Sequence, residues 1–150
     1  MRLVLQRVKK AAVSINNALY SSINEGFLIL VGIENEDTND DIDWLCAKVC
    51  GMRVFADNEG KLNLDIKQTN GEILIVSQFT LHASTKKGNR PSFIKAARPE
   101  IAIPLYEKFI SETEKLLDKT CKTGQFGADM QIELVNDGPV TILLDSKNKE

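Results

Sequence analysis

Two short apolar runs limit the folds open to this chain more than any other feature: GFLILVGI at residues 26–33 and ILIVSQFTL at residues 73–81. Runs of this length, rich in β-branched residues and bounded by Gly and Asn, read as strands from the buried centre of a sheet. Ahead of them, RLVLQRVKKAAVSI sets Val4, Gln6 and Val8 against Leu3, Leu5 and Arg7, the alternation of one long strand, and ALYSSI follows an Asn16-Asn17 turn. Thr38 and Asp41 have capping-box spacing before a helix that puts Ile42, Leu45, Cys46 and Val49 on one face and stops near Gly51. MRVF and LNLDI bracket a hairpin loop, ADNEGK. A second helix starts near Pro99, or closer to Pro104, with Leu105, Tyr106, Phe109, Ile110, Thr113, Leu116 and Leu117 as its buried stripe. Two strands at about 130–135 and 140–144 close the chain, joined by a turn at Asn136-Asp137-Gly138-Pro139. Proline straight after the glycine is an awkward start for a strand that must pair. The expected class is α+β: a curved, largely antiparallel, barrel-like sheet with two main helices, in one domain over residues 1–150.

Composition excludes several functions. No apolar run approaches the ~20 residues of a membrane span. The alternating N-terminus lacks a signal-peptide h-region, so a cytoplasmic location is expected. Cys46, Cys50 and Cys121 form no disulfide framework and are read as reduced, buried or half-buried thiols. His82 is the single histidine, and neither metal nor cofactor is expected. The net charge of −2 conceals segregation. Residues 1–24 carry Arg2, Arg7, Lys9 and Lys10 and no acid, while residues 73–99 carry Lys86, Lys87, Arg90, Lys95 and Arg98 and no acid. These stretches are either ordinary solvated cations or a surface for phosphates.

Chemistry concentrates in SQFTLHAS, residues 77–84. As a strand it would put Ser77, Phe79 and Leu81 on one face and Gln78, Thr80 and His82 on the other. Its hydroxyls either mark the strand's emergence into solvent or line a substrate mouth. Thr80 and His82 would stand about 7 Å apart, too far for a direct nucleophile–base hydrogen bond. Arg7 interrupts an apolar face, where its fork could bind carbonyls or a carboxylate, or snorkel from an edge. No paired carboxylates, phosphate-binding loop or metal cluster stands out.

Taken in order, QRV (6–8), GMRVFADNEGKLNL, SQFTL (77–81), KGNRPSF (87–93), TGQFGADM (123–130) and VNDGPVT (135–141) resemble the D-aminoacyl-tRNA deacylase family over essentially the whole chain. The resemblance implies that family's fold and a homodimeric ester hydrolase. Such an enzyme frees a D-amino acid from the terminal adenosine of tRNA, also removes glycine mischarged on tRNA(Ala), and spares L-aminoacyl-tRNA. Ser77, Gln78, Phe79 and Thr80 match the catalytic strand, and Gly138-Pro139 matches a Gly-cis-Pro chiral filter inserted into the partner's site. Arg7 matches the arginine supporting that filter, while Phe126 and Met130 fall where the terminal adenosine is received. Lys86, Lys87 and Arg90, with Arg2, Lys9 and Lys10, become candidates for the tRNA backbone. His82 lies outside the family pattern. Water activation by the adenosine 2′-OH competes with Thr80 as a covalent nucleophile, and a non-catalytic nucleic-acid-binding module or a structural homodimer remains open.

Overall fold

The long first strand organises everything else. In the computed structural model, which describes residues 1–150, β1 (Arg2–Ile15) is paired along both edges. One edge takes β3 (Gly26–Gly32) against Arg2–Val8 and β2 (Ala18–Ile23) against Ala11–Ile15, both antiparallel. The other edge takes β8 (Met130–Asp145), antiparallel from end to end. Beyond β3 lie β6 (Glu72–Ser77) and then β7 (Lys122–Thr123), each joined in parallel. β1 curls enough for the Ser21 hydroxyl on β2 to donate to the Thr123 carbonyl on β7 at 2.7 Å, so the sheet nearly closes.

Parallel neighbours need long crossovers, and these carry the helices. Between β3 and β6 run α1 (Asn39–Gly51) and the small hairpin β4 (Phe55–Ala56) and β5 (Leu62–Leu64); between β6 and β7 runs α2 (Pro99–Leu117). The helices cover one face of the sheet. Phe27 and Ile29 of β3 and Ile73 and Ile75 of β6 meet Ile42, Leu45 and Val49 of α1 and Tyr106 and Phe109 of α2. The other face closes on itself, with Leu28, Leu74 and Val76 packed against Val8, Val13 and Ile23. The α+β architecture with two helices is as expected; the two central runs, however, pair with each other in parallel, giving a mixed sheet. No helix is long and apolar enough to cross a membrane.

Local chemistry explains the element ends. Asp41 accepts from the Thr38 amide at 2.7 Å at the start of α1. Burial opposes ionisation of Asp41, but hydrogen bonds from Lys147, Ser146 and Thr38 hold its carboxyl well below the ordinary range. α2 begins at Pro99, where a missing N–H costs nothing, and carries Pro104 within it rather than starting there.

Two expectations fail, each for a long-range reason. The residues on either side of Gly138-Pro139 form one strand rather than a hairpin, because both flanks register with β1 in the same direction. Gln6 pairs with Thr141 and Val8 with Asn136, so four residues, Asp137 to Val140, oppose Arg7 alone: a large bulge. Likewise the run 73–81 is not strand throughout. β6 stops at Ser77, and Phe79–His82 form a 3₁₀ turn that folds over Gly32. A Cβ on Gly32 would stand 2.8 Å from Leu81 Cβ and 3.1 Å from the Gln78 carbonyl, so the turn rests where β3 has no side chain.

Cys46 and Cys50 are buried and Cys121 is half-buried. Cys46 Sγ lies 3.3 Å from the Thr113 hydroxyl, and burial pushes the Cys46, Cys50 and Cys121 thiols up to about 12, about 11 and about 12. Native protein treated with iodoacetamide at pH 8 is therefore expected to label at none of them, whereas all three react in urea; rapid native labelling would contradict the burial. Because folding raises these values above about 8.5, their contribution to stability is complete below that pH. It is lost as pH climbs toward 11–12.

Candidate active site

The turn that ends β6 also builds a cleft. Ser77, Gln78 and Phe79 form one wall, and Phe126, Gly127, Asp129 and Met130, from the loop into β8, form the opposite wall. Val31, Ile33 and Ala102 floor a space of about 300 Å³. Five residues singled out from the sequence (Ser77, Gln78, Phe79, Phe126 and Met130) thus meet across a separation of about fifty residues in the chain.

Thr80 stands beside this lining, exposed, with its hydroxyl accepting from the Gln78 side-chain amide at 2.5 Å. His82 turns the other way. It is buried, neither ring nitrogen has a hydrogen-bond partner, and Nδ1 lies 4.0 Å from the Glu34 carboxylate. The 3₁₀ turn therefore separates Thr80 from His82 and leaves no nucleophile–base pair. Asp129 is the only ionisable side chain lining the cleft.

Tyr106 was legible in the sequence only as part of a helical core stripe. Its hydroxyl donates to the Ile75 carbonyl at 2.8 Å, and its ring meets Phe126 with centroids 5.8 Å apart, bracing that wall from behind. Burial raises its phenol far above the ordinary value. Arg2 also has a local role: it pairs with Asp145 at 2.8 Å and donates to the Leu81 carbonyl at 3.1 Å, tying the turn to β1.

Gly138 and Pro139 lie elsewhere, outside the lining of this cleft. Their peptide bond is cis, and Gly138 has φ +116°. Arg7, the residue facing the bulge, holds it. Its Nε sits 3.0 Å from Asp137 Oδ2, within ion-pair range though out of line for a hydrogen bond, and its Nη1 donates to the Val54 carbonyl. Thr141 closes the bulge at its base, accepting from Asn136 at 3.0 Å and Gln6 at 3.4 Å.

The basic stretches differ. Arg2, Arg7 and Lys9 are engaged with Asp145, Asp137 and Glu25, leaving Lys10 of that group unpaired. Lys86, Lys87 and Arg90 are exposed and make no ion pair.

Sequence comparison bears directly on this arrangement. The family model described as D-Tyr-tRNA(Tyr) deacylase matches residues 4–145. Proteins named D-aminoacyl-tRNA deacylase from Bacteroides thetaiotaomicron and Porphyromonas gingivalis are 59% and 60% identical over 150 residues, covering all of both chains. One from Cytophaga hutchinsonii is 60% identical over 147 residues, covering 98% of each. Among solved structures, the c-Myc DNA Unwinding Element Binding Protein superposes with TM-score 0.90 at 39% identity, covering 97% of this chain and 98% of that one. A probable eukaryotic D-amino acid tRNA deacylase shares the fold, with TM-score 0.81 at 16% identity, covering 95% of this chain and 97% of that one. With a family model spanning nearly its whole length and full-length relatives at this identity, the chain belongs to the D-Tyr-tRNA(Tyr) deacylase family, hydrolases that act on aminoacyl-tRNA.

Proposed function

We propose that residues 1–150 form a single deacylase domain that works as a cytoplasmic homodimer and hydrolyses D-aminoacyl-tRNA and glycyl-tRNA, including glycine mischarged on tRNA(Ala). The observation that carries this reading is the division of labour within one chain. The cleft of Ser77, Gln78, Phe79, Phe126 and Met130 and the braced Gly138-Pro139 bulge lie apart in one chain. A second subunit brings the two together: the bulge of one protomer enters the cleft of its partner. A D- and an L-residue differ only in the direction in which the side chain leaves the α-carbon, so fixed main-chain carbonyls there exclude the L side chain. Glycine offers nothing to exclude and is hydrolysed.

The chemistry asks for little acid–base machinery. An aminoacyl ester is already activated, and orientation with charge stabilisation supplies most of the rate. The terminal adenosine sits against Phe126 and Met130, and its 2′-OH relays a proton, accepting one from the attacking water as it passes its own to the departing 3′-oxygen. A 3₁₀ turn leaves its first amides outside its own ladder, so the Phe79 and Thr80 N–H groups are placed to stabilise the oxyanion. Collapse of the tetrahedral adduct breaks the ester C–O bond, returns a proton to the ribose 3′-oxygen and frees the amino acid. Gln78 lines the cleft, its side-chain amide donating to the Thr80 hydroxyl.

Hydrolysis of matched D-, L- and glycyl-tRNA tests the reading, and equal rates on D and L overturn it. Thr80→Ala is expected to keep near-normal turnover, whereas a covalent nucleophile would leave almost none. A substrate with a 2′-deoxy terminal adenosine is expected to react far more slowly, and unimpaired hydrolysis rules out the assisting hydroxyl. The name of the c-Myc DNA Unwinding Element Binding Protein supports a second reading, a nucleic-acid-binding module without catalysis. Release of free D-amino acid separates the two.

A further inference from the structure

Beside the cleft, the surface presents an aromatic step that the reaction leaves unused. Phe79 stands at the cleft's lip with 55% of its surface exposed, and Phe93 meets it edge to face, ring centroids 5.1 Å apart and planes at 72°. Phe93 is itself 36% exposed and its neighbour Ile94 is 88% exposed. Apolar exposure concentrated at a cleft mouth marks a contact surface rather than scatter.

The step is held in place. Ser84 and Ser92 exchange backbone hydrogen bonds of 2.8 and 2.9 Å, pinning the loop that delivers Phe93. On the far side the Ala96 amide donates to the Phe93 carbonyl at 3.0 Å, and the Ala97 amide donates to the carbonyl of Ile33, just past β3, at 2.9 Å. Between the pinned serines lie Lys86, Lys87 and Arg90, exposed and unpaired, within a stretch from residue 73 to residue 99 that contains no acid.

Charge selects the occupant. In the reading above a second copy of this chain meets the cleft through its Gly138-Pro139 bulge and offers no polyanionic strand, whereas a single-stranded nucleic acid offers a base to stack and phosphates to neutralise. Exposed aromatic faces beside a cationic groove are the chemistry of single-strand binding. Phe79 belongs both to the cleft and to the step, so a base stacked here is one nucleotide from whatever occupies the cleft. We infer that the Phe79–Phe93 pair stacks the base immediately 5′ of the terminal adenosine, with Lys86, Lys87 and Arg90 on the phosphates beyond it. This rests on the deacylase reading above, which puts the adenosine in the cleft. Every base has a π-face, so the step accepts any tRNA without reading its sequence.

The experiment compares two substrates, D-tyrosyl-tRNA and D-tyrosyl-adenosine, the second ending at the nucleotide in the cleft. Phe93→Ala is expected to raise KM for the tRNA about tenfold with kcat unchanged, and to leave hydrolysis of the adenosine ester as in wild type. Phe93→Leu, which keeps contact with Phe79 but lacks a π-face, behaves like the alanine variant, and Phe93→Trp restores wild-type KM. Equal losses on both substrates show that Phe93 only supports Phe79 and overturn the inference. So does an unchanged KM for the tRNA, or a shift in oligomeric state on gel filtration, which makes the step a protein interface. Wild-type protein inactive on both substrates is a different result: it removes the deacylase reading and this inference with it.

Discussion

Arg7→Ala is expected to lower the preference for D- over L-aminoacyl-tRNA by about 100-fold or more, the scale of loss when a positioned element moves by about an ångström, while the protein remains folded. Arg7 faces the four-residue bulge across the sheet, and its guanidinium is the strut between the bulge and the body. It reaches the Asp137 carboxylate at 3.0 Å on one side and the Val54 carbonyl on the other. Without it, Asp137 retains only Lys9 at 3.8 Å, and the bulge that carries Gly138-Pro139 loses its tie to Val54. Asp137 is 29% exposed, so water takes over part of its solvation. The stability cost is accordingly modest, about 1 kcal/mol. Arg7→Lys is not expected to rescue discrimination, since an ammonium cannot span both partners as a fork does.

Gly138→Ala attacks the same contact from the opposite side, because a Cβ there would stand 2.8 Å from Arg7 Nη2. Its φ of +116° adds strain of its own. Effects acting through one contact do not add, so the double variant is expected to be scarcely worse than either single one. The checks are kcat/KM on matched D- and L-tyrosyl-tRNA, with circular dichroism for the fold. Arg7→Ala with wild-type rate on the D-substrate and wild-type rejection of the L-substrate removes the bulge from the proposed mechanism.

The failures of the sequence reading share one physical character. Strands 2–15, 18–23 and 26–32 and both helices follow local rules of alternation, helical stripe and cap, and each formed where those rules put it. Asn136-Asp137-Gly138-Pro139 obeys the same local rules for a turn and for a bulge. What distinguishes them is that both flanks pair with β1, more than a hundred residues away in the chain. The run 73–81 has strand propensity to its end, yet it bends after Ser77 because Gly32, on a neighbouring strand, leaves space for the turn. The cleft was legible through family motifs and not through periodicity, since Ser77 and Phe126 come together only when β7 and β8 are in place. Tyr106 escaped notice because a buried aromatic in a helical stripe looks the same whether it fills a core or braces a site.

Gly26→Ala is expected to destabilise the protein by about 4 kcal/mol or more, the range reserved for backbone and core clashes, and on mild warming to leave little of it folded. Gly26 opens β3 between Val8 of β1 and Glu72 of β6. A Cβ built there would lie 1.8 Å from the Glu72 carbonyl oxygen, 2.6 Å from its nitrogen and 2.7 Å from its carbonyl carbon. A carbon and a carbonyl oxygen normally approach no closer than about 3.3 Å, so the strands would have to part by more than an ångström. The obstacle is main chain on every side and cannot rotate away. Gly60 supplies the control: its φ is +77°, but nothing stands within 4 Å of its added Cβ. Gly60→Ala therefore costs only the backbone term, about 1–2 kcal/mol. Urea unfolding of the two variants separates a steric wall from a conformational preference, and equal midpoints would show that β3 and β6 are not in such close contact. The pairing at risk is the one that carries β6 to Ser77. Any Gly26→Ala protein that does fold is thus expected to lose the cleft along with the strand register, whereas Gly60→Ala, in a remote hairpin, keeps full activity at the same temperature.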